Sequence, residues 1–146
     1  MNAWVDGTCL CGQVRFRVQL PSRFCAHCHC ENCRRAHGAA FVTWAGFPTA
    51  QLEIGAGDAL ERYHTDTGAT RGFCRQCGSP LFYESPRWPG EVHVAVASLA
   101  GAIDRKPAVH VYVDSKASWW EIEDGLPQYG GTTGTEPKAP ADGAKS

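Results

Sequence analysis

The segment Gln13-Val14-Arg15-Phe16-Arg17-Val18-Gln19-Leu20 has a period of two: Val14, Phe16, Val18 and Leu20 alternate with polar residues. Successive side chains of a strand point to opposite faces, so the pattern predicts a strand with one buried and one wet face. The alternation recurs at Val92, Val94 and Val96 and at Val109, Val111 and Val113, and weaker strands are expected at 40–44, 51–54, 60–64 and 80–83. Helical periodicity is nearly absent. A single short helix is expected from Glu31 to His37, where Gly38 supplies the left-handed conformation that ends one. Many short strands punctuated by Gly and Pro predict an all-β fold of several short antiparallel, coiled sheets.

The 146 residues are 43% hydrophobic and 20% charged, enough for one ordinary core without covalent staples. A formal net charge of −1 leaves no broad positive face for a phosphate backbone, so nucleic acid is not an expected partner. No apolar run approaches the roughly 18 residues of a membrane span. The start, MNAWVDGTCLCG, lacks the basic and apolar stretches of a secretory signal, and a reducing cytoplasm is the expected location. One domain is expected over 1–129. From Gly130 the sequence GGTTGTEPKAPADGAKS offers no large apolar residue, so 130–146 is expected to be a disordered tail.

Eight cysteines fall in three clusters: Cys9 with Cys11; Cys25 with Cys28, Cys30 and Cys33; and Cys74 with Cys77. Thiolates one or two residues apart converge on one ion at Zn–S distances of about 2.3 Å, whereas partners that close make strained disulfides. The first and last clusters each end in glycine, Gly12 and Gly78, which turns the backbone tightly and aims its amides at sulfur. Cys9, Cys11, Cys74 and Cys77 are therefore expected to close a tetrahedral structural zinc, a knuckle around which the sheets assemble.

The middle cluster, CAHCHCENCRR, offers more ligands than one ion needs. Cys25, Cys28, Cys30 and Cys33 would form a second closed site. Cys28, Cys30 and Cys33 alone would leave a position open to water or a thiol, the layout of a catalytic zinc. His27 and His29 are substitute ligands by chemical type, although in an extended segment they alternate with the cysteines.

These motifs, GTCLCGQVRF, CHCENCRRAHGAAFVTWA and RGFCRQCGSPLF in order, followed by AVHVYVDSKASWW and DGLPQY, resemble the glutathione-dependent formaldehyde-activating enzyme family, also called the GFA or centromere protein V type domain. The resemblance covers nearly everything before the tail. It implies two zinc ions per chain, a structural one on Cys9, Cys11, Cys74 and Cys77 and an active-site one on Cys28, Cys30 and Cys33. It also implies a carbon–sulfur lyase activity in which glutathione and formaldehyde form S-hydroxymethylglutathione.

Cys25 lies outside the motif and is read as a buried thiol rather than a ligand, with ligation the alternative. Arg34 and Arg35 are candidate contacts for the carboxylates of a small-molecule thiol such as glutathione. His37, His64 and Ser79 are proton carriers or substrate contacts by chemical type alone, and Trp119 and Trp120 carry no assigned chemistry. A non-enzymatic, zinc-stabilised binding module is the competing function. A three-ligand site also holds its ion less firmly than a closed one, so partial loading of the second zinc is expected.

Overall fold

The computed structural model describes residues 3–138, in which strand is the commonest regular structure. The elements run β1 (Trp4–Thr8), β2 (Arg15–Gln19), β3 (Phe24–Cys28), α1 (Glu31–His37), β4 (Val42–Pro48), β5 (Leu52–Ala56), β6 (Leu60–His64), β7 (Thr70–Cys74), β8 (Pro80–Glu84), β9 (Glu91–Ala95), β10 (Val109–Val111), β11 (Tyr129–Gly130) and β12 (Glu136–Pro137). They belong to two compact units, one of residues 3–25 and 44–106, the other of 26–43 and 107–138. Among the described residues no helix is long and apolar enough to cross a membrane.

In the first unit β2 pairs antiparallel with β1 on one side and β5 on the other. Val14, Phe16 and Val18 are buried and Arg15 and Arg17 exposed, the phase read from the sequence. Gly7 stands opposite Phe16 because the phenyl ring occupies the space a Cβ would need. On the wet face Arg17 bonds Glu53 at 2.8 Å and lies 4.0 Å over the Trp4 ring. Strands follow in the antiparallel order β4-β9-β8-β7-β6 in the same unit. The core joins Val14, Phe16 and Val18 to Phe47, Leu81, Phe82, Val92 and Val94, and each such side chain contributes about 1.5–3 kcal/mol on burial. Cys9 and Cys74 belong to this core, so the first metal knuckle grows directly from packed apolar surface.

In the second unit β10 pairs with β3, and the pairing is parallel, setting His110 beside His27 and Val111 beside Cys28. The phase of β10 is the reverse of a valine-in reading: His110 is fully buried while Val109 and Val111 are half-buried. Helix α1 occupies the expected residues. Cys30 is its N-cap, with Sγ accepting the Cys33 N–H at 3.2 Å, and Gly38, at φ 61°, ends it in the left-handed conformation.

The tail departs from expectation. Residues 129–138 are ordered, with β11 antiparallel to β12. Hydrogen bonds hold this hairpin in place of apolar burial: the Asp114 carboxylate accepts from the Gly131 N–H and the Lys138 ammonium, both at 2.7 Å, and the Tyr112 N–H donates to the Gly134 carbonyl. Residues 139–146 of the expected tail lie outside the described residues.

Candidate metal centres

The sulfurs of Cys9, Cys11, Cys74 and Cys77 lie within 4.8 Å of one another, and the Cys9–Cys11 and Cys11–Cys74 separations are each 3.7 Å. A tetrahedron with thiolates at about 2.3 Å from its centre has edges near 3.8 Å, so the sulfur spacing and the donor chemistry fit a zinc ion. Gly12 and Gly78 adopt φ of 81° and 80°, the conformation the two knuckles need. The turned backbone points amides at sulfur, as the Val14 N–H does to Cys9 at 3.3 Å. The hydroxyl and amide of Ser79 pull the Cys77 thiol down to about 5. At Cys11 the Gln13 amide favours the thiolate, yet desolvation and the Cys9, Cys74 and Cys77 sulfurs prevail and push it up to about 12. Four thiols crowded together resist joint ionisation, and a divalent cation relieves that repulsion.

The second cluster brings the sulfurs of Cys28, Cys30 and Cys33 within 4.8 Å of one another. Cys28 ends β3, and Cys30 and Cys33 occupy the N-cap and first turn of α1, so a strand end and a helix start fix all three. The neighbouring Cys30 and Cys33 sulfurs, then burial, raise the Cys28 thiol well above its ordinary value, the signature of a donor set that suits a cation. Cys25 is three residues from Cys28 along β3 and therefore points to the opposite strand face. It is buried, and burial raises its thiol. None of the eight cysteines is in a disulfide.

A chain of side chains that the sequence did not reveal lies in the second unit. His29 Nε2 is 2.8 Å from His110 Nδ1, and His110 Nε2 is 2.9 and 3.1 Å from the two Asp124 carboxylate oxygens. His29 and His110 are fully buried. Burial, then His110 and the charges of Lys116 and Arg34, lower His29 to about 4. Burial also lowers His27, whose Nδ1 meets the Thr43 hydroxyl at 2.8 Å. His27, His110 and Asp124 bring one ligand atom each within 4.8 Å of the others, a second way of viewing the same residues. The rings of Phe41 and Trp120 lie 5.2 and 6.0 Å from that of His29. The valine-in reading of β10 sets His110 on the outward face, and Asp124 carried no signal beyond its place in DGLPQY.

The other sequence candidates separate. Arg34 Nε donates to the Ser115 carbonyl at 3.0 Å, whereas Arg35 pairs with Glu31 across one helical turn on an exposed face. Ser79 belongs to the first knuckle, accepting the Leu10 N–H and lying 3.1 Å from the Cys77 sulfur. His64 is exposed on β6 and meets Thr70, and His37 closes α1. Trp119 is exposed, and Trp120 stacks near Phe41, with ring centres 5.0 Å apart.

Residues 4–115 match the family model described as glutathione-dependent formaldehyde-activating enzyme. A Halomonas elongata protein provisionally named for that activity is 32% identical over 127 residues, covering 82% of this chain and 81% of the relative. An uncharacterized lyase of Schizosaccharomyces pombe is 26% identical over 78 residues, 53% of this chain and 56% of the relative. The crystal structure of a Rhodobacter sphaeroides protein superposes with a TM-score of 0.57 at 35% identity, covering 68% of this chain and 92% of that one.

Proposed function

Since the chain belongs to the glutathione-dependent formaldehyde-activating enzyme family, we propose that it is a zinc-dependent carbon–sulfur lyase joining glutathione, or a related thiol, to formaldehyde. The observation that carries this reading is the convergence of three sulfurs, Cys28, Cys30 and Cys33, with the fourth nearby thiol, Cys25, on the other face of its strand. In the reaction the thiol sulfur bonds to the aldehyde carbon, the carbon–oxygen double bond becomes single, and the thiol proton ends on oxygen. Nothing is oxidised or reduced.

A zinc ion, when bound, supplies a Lewis acid that favours thiolate over thiol and polarises a carbonyl oxygen. Cys28, Cys30 and Cys33 would hold it. Cys9, Cys11, Cys74 and Cys77 hold a second ion whose closed set of ligands gives it a structural role. Arg34, anchored through Nε, supplies positive charge for a carboxylate of the thiol. Eight cysteines without a disulfide among them suit a reducing compartment.

The test is exchange of ¹³C-formaldehyde with glutathione followed by NMR in the presence of zinc-loaded protein. Adduct formation faster than in buffer is expected. No acceleration, together with no thiol binding at the second centre, would overturn the lyase reading in favour of a non-enzymatic zinc-stabilised module.

A further inference from the structure

His27 on β3 and His110 on β10 are direct partners across the parallel ladder. Residues so paired point to the same face of a sheet, and the two imidazoles stand side by side with ring centres 4.8 Å apart. The segment after β10 folds back beside it: the His110 N–H donates to the Pro127 carbonyl at 2.9 Å, and the Asp124 carboxylate accepts the Leu126 N–H at 3.0 Å. This holds the two Asp124 oxygens 2.9 and 3.1 Å from His110 Nε2. One donor atom each from His27, His110 and Asp124 thus lies within 4.8 Å of the other two, and all three residues belong to the second unit.

We propose that His27, His110 and Asp124 form a third metal centre, which takes a divalent first-row transition cation on two imidazoles and a carboxylate. Two donors at right angles on such an ion, each about 2.1 Å away, are about 3.0 Å apart, which matches the His110–Asp124 spacing. A hydrogen bond has the same length, so the other contacts of the imidazoles decide between the two. The Thr43 hydroxyl, at 2.8 Å, takes His27 Nδ1 and leaves Nε2 for the ion; His29 Nε2, also at 2.8 Å, takes His110 Nδ1 and leaves Nε2 on the Asp124 side. Metal-ligating histidines are anchored in this way through the nitrogen away from the ion, which fixes the ring. A lone His110–Asp124 hydrogen bond gives no role to the second imidazole.

Along an extended strand His27 and Cys28 point to opposite faces, so this centre is separate from the one on Cys28, Cys30 and Cys33. His110 is fully buried and His27 half-buried, whereas 43% of the Asp124 side chain is exposed, so the centre opens to solvent on the carboxylate side. Three protein donors leave positions for water. Imidazole and carboxylate are harder donors than thiolate, so this ion is held less firmly than zinc on the cysteines, and desalting strips it while they stay loaded.

Titration of zinc-loaded, desalted protein with Co²⁺ tests the centre. One further ion per chain is expected, with the proton NMR signals of two imidazoles shifted by the paramagnetic ion, no sulfur-to-cobalt charge-transfer band and no release of zinc. Asp124→Asn, which keeps the side-chain shape, should weaken Co²⁺ binding about 100-fold or more, and Thr43→Val, which frees His27 Nδ1, about 10-fold. Both variants should retain their zinc and unfold cooperatively. Equal Co²⁺ affinity in the wild type and Asp124→Asn overturns the proposal, as does uptake accompanied only by the sulfur band or by displaced zinc, or no uptake beyond the zinc. None of these measurements needs turnover, so their failure leaves the lyase reading as it was, and a protein that does not accelerate adduct formation leaves this centre standing.

Discussion

Cys11 Sγ lies 3.7 Å from Cys74 Sγ although 63 residues of chain separate them. The first sulfur is exposed and the second fully buried in the core, so this cluster ties an exposed loop to the core of the first unit. Cys74→Ala should therefore lose one zinc per chain and lower Tm by about 10 °C or more. Metal analysis with thermal unfolding checks this; full zinc content at an unchanged Tm would refute it.

Chelation should empty the two centres in sequence. The Cys28, Cys30 and Cys33 set offers three sulfurs and the other offers four, so the former releases first. A chromophoric chelator should report two phases, with the fast one absent in Cys30→Ser. Simultaneous release of both ions would contradict the assignment.

Arg34 and Arg35 should behave differently. The exposed Arg35–Glu31 pair is worth about 0.3–0.5 kcal/mol, so Arg35→Ala should change neither stability nor the KM for thiol appreciably. Arg34→Ala removes a side chain anchored on Ser115 and should raise that KM several-fold. Steady-state kinetics of the two variants decide it; equal effects would remove Arg34 from the substrate contacts.

Gly46 of β4 is pressed against the Phe24 ring, which fills the place of a Cβ. Gly46→Ala should destabilise by about 1–3 kcal/mol through overpacking. Denaturant unfolding should recover part of the loss in Gly46→Ala combined with Phe24→Leu. Additive losses would show that the clash is not the cause.

Asp104 opposes its own desolvation by accepting the Ser22 N–H at 3.0 Å and hydroxyl at 2.8 Å, and its carboxyl is held below the ordinary value. A depressed folded value stabilises the protein above the unfolded carboxylate value of about 3.9, and that stability is lost as pH falls through the folded value. Asp104→Asn should cost about 1–2 kcal/mol at neutral pH and show a shallower loss of stability below about pH 4. An identical acid profile in wild type and variant would refute this.

Legibility in the sequence followed contrast between neighbouring residues. Where apolar and polar residues alternate, as in β2, both the strand and its buried face were readable; in β9 the strand was readable, but His93 and Ala95 are buried along with Val92 and Val94. Phe24–Cys28 has no such contrast, since cysteine and histidine serve either face, and β3 went unread although it carries part of the second centre. Local spacing was enough to foresee which sulfurs gather within each motif, because those cysteines have one or two residues between them. The Asp124–His110–His29 chain was invisible for the opposite reason: its members are brought together by a parallel pairing that no local pattern encodes.

The interleaving of the two units also gives the chain a history. His29 leaves the ribosome 81 residues before His110, a delay of several seconds at about 5–20 residues per second. During that interval Cys28, Cys30 and Cys33 are already made while His110 is not, and the segments of the first unit are emerging. The first unit is completed at residue 106, only just ahead of His110, so for most of that interval the growing chain carries Cys28, Cys30 and Cys33 before either unit is complete.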